Sequence, residues 1–180
     1  MNKAPAFFDL ARAPRRRLEA VLRAGVTPAT ESLVGFEWRG FNVPWYTKLV
    51  GQKFIKGFEL AGSSVEGYNV AVRQNGLMEP WIEMPSPEHP ERFGFYVVDA
   101  VDPLSVDNRY RDALFLDYAA SARNPGRAPE RALRSYLIQP DESNADVLLG
   151  KAYWAIGRLR WYAAFYILER LRPITRVPDT

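Results

Sequence analysis

Apolar and polar residues alternate with a period of two along most of the chain after Ser32, and that period places successive side chains on opposite faces of a strand. The alternating runs are 33–41, 53–60 (KFIKGFEL), 65–74 (VEGYNVAVRQ), 93–101 (FGFYVVDAV), the ALFLDYA segment inside 110–119, 133–139 (LRSYLIQ), 147–156 (VLLGKAYWAI) and 162–171 (YAAFYILERL). Asn75-Gly76 is a hairpin signal, because both central positions of a two-residue turn need positive φ. The arm that returns from it, 77–84, contains Pro80, which has no N–H to give a ladder and predicts a short, bulged or edge element. Residues 45–51 read as a short helix or an irregular crossing, 85–91 (PSPEHPE) as a loop, and Asn124-Pro125-Gly126 as a turn.

The N-terminal part follows a different rhythm. In residues 15–24, Leu18, Val21 and Leu22 recur at i, i+3, i+4 spacing and share one helical face. Pro14 suits a first helical position, Gly25 is a natural stop, and Thr27-Pro28 offers the start of a second, shorter helical turn. The reading is therefore a helical segment over 1–31 that packs on a single β-barrel domain over 32–180. About eight strands at this spacing suit a sandwich or barrel, and no helix of crossover length separates them, which argues against a parallel sheet. The expected fold is all-β, mainly antiparallel, an up-and-down barrel of roughly eight strands.

Alternation assigns faces. In the first strand Val34, Phe36 and Trp38 oppose Glu37 and Arg39; in the fifth, Leu114, Leu116 and Tyr118 oppose Phe115 and Asp117. In the last, Tyr162, Tyr166 and Leu168 oppose Phe165, Ile167 and Glu169, so both faces are apolar. One of them would line the barrel, and the other needs cover from the N-terminal helix or a second subunit. Aromatic residues make up 13% of the chain, and tyrosines recur near strand centres at 68, 96, 118, 136, 153, 162 and 166. A tyrosine gives a barrel interior a flat apolar wall and one hydroxyl, yet the same rings also serve as core filling. Eight strands suffice for a filled interior or for one small ligand.

The chain resembles the calycin barrels, the lipocalins and fatty-acid-binding proteins, in the run Gly35-Phe36-Glu37-Trp38-Arg39-Gly40. It is also similar to the G-x-W-x-G family of small bacterial lipocalin-like proteins, with Gly51-Gln52-Lys53-Phe54 matching that family's Gly-x-x-Phe segment. Gly35 and Trp38 stand three apart where lipocalins place them two apart, while Trp38 and Gly40 keep the W-x-G half. The resemblance implies carriage or sensing of a hydrophobic small molecule, and an arginine, Arg170 or Arg172, over the ring of Trp38.

Charge and rare residues narrow the field. The net charge of +3 resides in the first 31 residues, which hold six basic against three acidic side chains, and the rest is balanced at 18 of each sign. A nucleic-acid face on the main body is not expected, and Arg15-Arg16-Arg17 reads as a solvated helix face. No cysteine is present, which removes disulfides, thiolate nucleophiles and zinc–sulfur sites. With no membrane-length apolar run and no signal-peptide pattern, a cytoplasmic setting is expected. The single histidine, His89, lies in the proline-rich loop, Asp99, Asp102 and Asp107 read as turn chemistry, and Gly62-Ser63-Ser64 lacks the lysine of a phosphate loop. No cofactor or metal is implied.

The leading expectation is a binder of an apolar or amphipathic small molecule, fatty-acid-like or chromophore-like. Trp38, Phe54, Tyr68, Tyr96, Tyr118, Tyr136 and Tyr153 would wall the site, and Lys53, Arg134 or Lys151 would neutralise a ligand carboxylate. Two alternatives stand beside it. One is an isomerase, lyase or hydrolase that uses tyrosine and a carboxylate from Glu37, Asp117 or Glu169. The other is a homo-oligomeric module, such as a homodimer, joined through the doubly apolar last strand.

Overall fold

The computed structural model describes residues 6–44, 46–47 and 51–174. Three short helices, α1 (Phe7–Ala11), α2 (Arg15–Ala24) and α3 (Thr30–Leu33), precede eight strands. These are β1 (Phe36–Asn42), β2 (Lys53–Ala61), β3 (Ser64–Ala71), β4 (Arg92–Ala100), β5 (Leu114–Asp117), β6 (Leu133–Ile138), β7 (Val147–Ile156) and β8 (Leu159–Pro173). Each strand pairs antiparallel with its sequence neighbour, and β8 pairs antiparallel with β1, so the sheet closes on itself as an up-and-down barrel. No helix among the described residues is long and apolar enough to cross a membrane.

The alternation read from the sequence separates an inside from an outside. Trp38, Phe58, Tyr96, Val98, Leu114, Leu116, Leu137, Leu148 and Leu168 pack together in the barrel, with Leu33 from α3 seated against them. This half of the interior is filled. Tyr166 lies over Gly150, where any Cβ would collide with the phenol ring, so the glycine makes room for the tyrosine.

A second core lies outside the barrel. Phe7, Leu10, Leu18 and Leu22 from α1 and α2 bury Phe41, Ile138, Leu149, Phe165 and Ile167 of the strands. The second apolar face of β8 is thus covered by the chain's own helices. A third group, Ile55, Tyr68, Val70 and Val72, is packed against Trp81 from the loop that follows β3.

One expectation about turns is corrected. The described residues contain no positive φ outside glycine, and Gly76 is not among the positive-φ glycines, so Asn75-Gly76 does not form the two-residue turn. Lys53 Nζ instead gathers the Asn75 side chain (2.5 Å) and the carbonyls of Gly76, Glu79 and Pro80 (2.7–3.1 Å), and organises the segment as a wider loop. Its return arm makes one isolated bridge, Val72 to Glu83, as Pro80 requires. The expectation for residues 45–51 falls partly outside the described residues.

Bulges correct the face assignments of the last strands. Between Ala152 and Tyr153 the β7–β8 register shifts by one residue: Ala152 faces Ala164, but Tyr153 faces Tyr162. A one-residue slip turns a side chain to the other face. Tyr162 therefore packs outside against the helix-covered core rather than inside with Tyr166.

Candidate functional site

The filled half of the barrel gives way, toward the other end, to a cavity of about 650 Å³. Its apolar walls come from Phe54, Phe93, Leu133, Ala152, Ala164 and the ring of Tyr166. Asn42, Thr47, Gln74 and Glu130 stand around it as polar groups, and Lys56, Asn69 and Tyr118 place a polar cluster in the lining. The volume lies within the range of ligand pockets, about 300–1,000 Å³, and the pattern of apolar wall with few polar groups is the usual one.

Lys56 is the unusual member. It is 1% exposed, on the inward face of β2 between Phe54 and Phe58. Its Nζ donates to Asn69 Oδ1 and to the Tyr118 hydroxyl, both at 2.8 Å. The ring of Tyr96 lies beneath it at 4.1 Å, with Tyr118 and Tyr166 further out at 5.2 and 5.7 Å. Among the described residues no carboxylate lies within ion-pair distance of it, and Glu130, from the 3₁₀ turn Pro129–Ala132, is the carboxylate that shares its cavity. A lysine this buried without an acidic partner is rare, because desolvation disfavours the ammonium. That desolvation holds its pKa well below the ordinary lysine range.

The strand irregularities position this cluster. Gly94 in β4 has φ +53° and sits at a register shift between β3 and β4, the glycine-in-αL form of a β-bulge. Its carbonyl accepts a 2.8 Å hydrogen bond from Asn69 Nδ2. The amide orientation that follows leaves Asn69 Oδ1 for Lys56. Burial also raises the pKa of Tyr118, and of Tyr166 and Tyr96 around it, so these phenols stay protonated. Tyr166 shares a 2.5 Å hydrogen bond with Ser135 Oγ, and Tyr96 donates to the Gly57 carbonyl at 2.8 Å.

The structure divides the residues expected at the site. Phe54 and Tyr118 line the cavity. Trp38 and Tyr96 are inside but packed below it, and Arg170 lies over the Trp38 ring at 4.9 Å. The Trp38 indole N–H is buried with no hydrogen-bond partner among the described residues.

Five residues lie elsewhere, because strand parity turns them outward. Tyr136 and Tyr153 belong to the helix-covered core, and Tyr68 lies under the loop after β3, its hydroxyl donating to Glu37 at 3.1 Å. Lys151 Nζ binds Glu19 of α2 at 2.6 Å and the Tyr110 hydroxyl at 2.7 Å. Arg134 pairs with Asp117 at 3.2 Å. Lys53 is bound to the loop carbonyls described above; burial lowers its pKa to about 8, and the four oxygens hold its protons in place. Of the cations expected to meet a ligand carboxylate, Arg134 and Lys151 are thus engaged outside the cavity, and Lys53, although part of the cavity lining, has its ammonium tied to the loop oxygens.

The carboxylates considered for acid–base work are also outside. Glu37 is bound by Arg172, which also reaches Glu83. Glu169 is bound by Arg39, and Asp117 accepts the Ala119 N–H at 2.7 Å besides its pairing with Arg134. Asp107 is held by Arg160, Asp102 caps the Leu104 N–H, and His89 is exposed.

Lys56, Asn69 and Tyr166 were missing from the expected wall. The signal for Lys56 was present: in KFIKGFEL it has the parity of Phe54 and Phe58, which puts it on their face. Comparison with known protein families, with curated proteins and with solved structures finds no match for this chain.

Proposed function

We propose that the barrel binds an amphipathic small molecule in the cavity, with the apolar body against Phe54, Leu133 and Tyr166 and the single polar end on Lys56 and Tyr118. The observation that carries this reading is the half-filled interior. Tightly packed rings and aliphatic side chains close one half, and the space above them ends on three polar groups rather than on more core. A fold that needed no ligand would complete its core, since interiors pack at the density of organic crystals. The likeness to calycin barrels seen in the Gly35–Gly40 run points the same way.

The β7–β8 hairpin extends the wall. Trp154 faces Trp161, and Ile156 faces Leu159, across the two strands. All four are exposed, and Trp154 also lines the cavity. This apolar tongue gives a ligand tail a surface that continues from the cavity.

The test is displacement of a hydrophobic fluorescent dye by a series of straight-chain amphiphiles, together with native mass spectrometry of the purified protein. Saturable displacement that weakens when Leu133 is replaced by Arg, at the cavity wall, is the expected result. Absence of dye or amphiphile binding to the folded protein would end the proposal.

A further inference from the structure

The described residues include three lysines, and they differ in what they hold. Lys53 has four oxygen partners, and Lys151 has a carboxylate and a phenol. Lys56 has two neutral partners, an amide oxygen and a phenol, and it alone of the three is in the barrel interior. An amine in an apolar cavity with no counter-ion loses its proton readily, and a neutral lysine is a nucleophile toward carbonyl carbon.

We propose that Lys56 is an imine-forming residue, and that the cavity takes an apolar aldehyde whose carbonyl carbon is attacked by Nζ beside the Tyr118 hydroxyl. This inference rests on the cavity being a small-molecule site and names the chemical class of the molecule. The step is a condensation. The Nζ lone pair forms the C–N bond while the carbonyl π electrons move to oxygen; one N–H proton passes from nitrogen to that oxygen and gives a carbinolamine. Loss of the second N–H proton and of the C–OH bond releases one water and leaves the C=N bond. No electron is gained or lost overall.

The surroundings serve each part. Tyr118, kept protonated by burial, has its hydroxyl 2.8 Å from Nζ, where an aldehyde oxygen would need a hydrogen-bond donor. Asn69 fixes Nζ from the other side through its oxygen. The Tyr96 ring, 4.1 Å from Nζ, offers its negative face to the positive charge that develops on nitrogen. The apolar walls limit the water available to reverse the reaction.

The experiment uses the whole chain and three straight-chain probes of one length: dodecanal, dodecanol and dodecanoic acid. Each is tested for displacement of a bound dye, and the dodecanal sample is reduced with borohydride and mapped by peptide mass. The expected result is one dodecyl group per chain on Lys56. It forms at pH 7 at least about ten-fold faster than on a free lysine peptide, since each unit of pKa lowering multiplies the neutral fraction about ten-fold. Dodecanol blocks it in the wild-type chain, Tyr118→Phe slows it, and Lys56→Met abolishes it. A dodecanal that displaces the dye without a reducible adduct, or an adduct spread over other lysines, overturns the imine and leaves the binding reading standing. If none of the three probes displaces the dye, both readings fall together.

Discussion

Lys56 couples the stability of the fold to pH. Its folded pKa is lowered by burial, whereas the unfolded value is about 10.4. Between those two values the unfolded chain holds more protons, so unfolding takes up a proton and stability rises with pH. In Lys56→Met this rise is absent. The free-energy advantage of the variant over wild type, measured by urea melts, therefore shrinks as the pH goes from about 6 to about 10. Gly94 acts on the same cluster through the backbone. A Cβ there would stand 2.8 Å from Asn69 Nδ2, on a backbone that L-residues avoid. Gly94→Ala is expected to cost about 1–2 kcal/mol and to loosen the Asn69–Lys56 contact, read as faster exchange of the Asn69 side-chain amide. The polar cluster was legible in the sequence as parity, since Lys56 shares the parity of Phe54 and Phe58. The bulge at Gly94 was not, because β4 carries apolar residues at both parities, Phe93 and Phe95 at one and Tyr96 and Val98 at the other, which hides the shift.

At the scale of elements, α2 is held to the barrel by the same type of group that occupies the cavity, a buried lysine, here with a carboxylate. Burial raises the Glu19 pKa, but hydrogen bonds from Lys151 and Tyr110 outweigh it, and the net shift is downward. A carboxylate lowered on folding adds stability above its unfolded pKa and loses it as the pH falls through the folded value. Glu19→Gln should cost about 2 kcal/mol, the usual worth of a hydrogen bond to a charged group, and should speed hydrogen exchange along Arg15–Ala24. The helix itself was readable from Leu18, Val21 and Leu22, which are buried or packed as their spacing implied. Its partners were not: Tyr136, Lys151 and Tyr153 read as cavity wall because one sequence does not say which side of a strand a helix covers. The eight strands were recognisable because each run alternates, whereas α1 was too short for its period to show.

For the molecule as a whole, the consequence of a half-filled barrel is that bound ligand adds to a core already complete at one end. A ligand at 100 times its Kd should raise the unfolding free energy by about 2.7 kcal/mol, measurable as a rise in Tm that scales with ligand concentration. Closure by β1 against β8 joins the two ends of the strand series, so the barrel depends on contacts far apart in sequence and should fold on the millisecond-to-second scale of β-rich domains. Stopped-flow refolding monitored through the tryptophans would measure it. The leucines packed with Trp38 and Phe58 below Lys56 give the barrel a floor, so a passenger must back out through the doorway it came in by. Narrowing that doorway, by a bulky residue at Ala163 in the cavity lining for instance, delays arrival and departure by the same factor and leaves the final occupancy where it was.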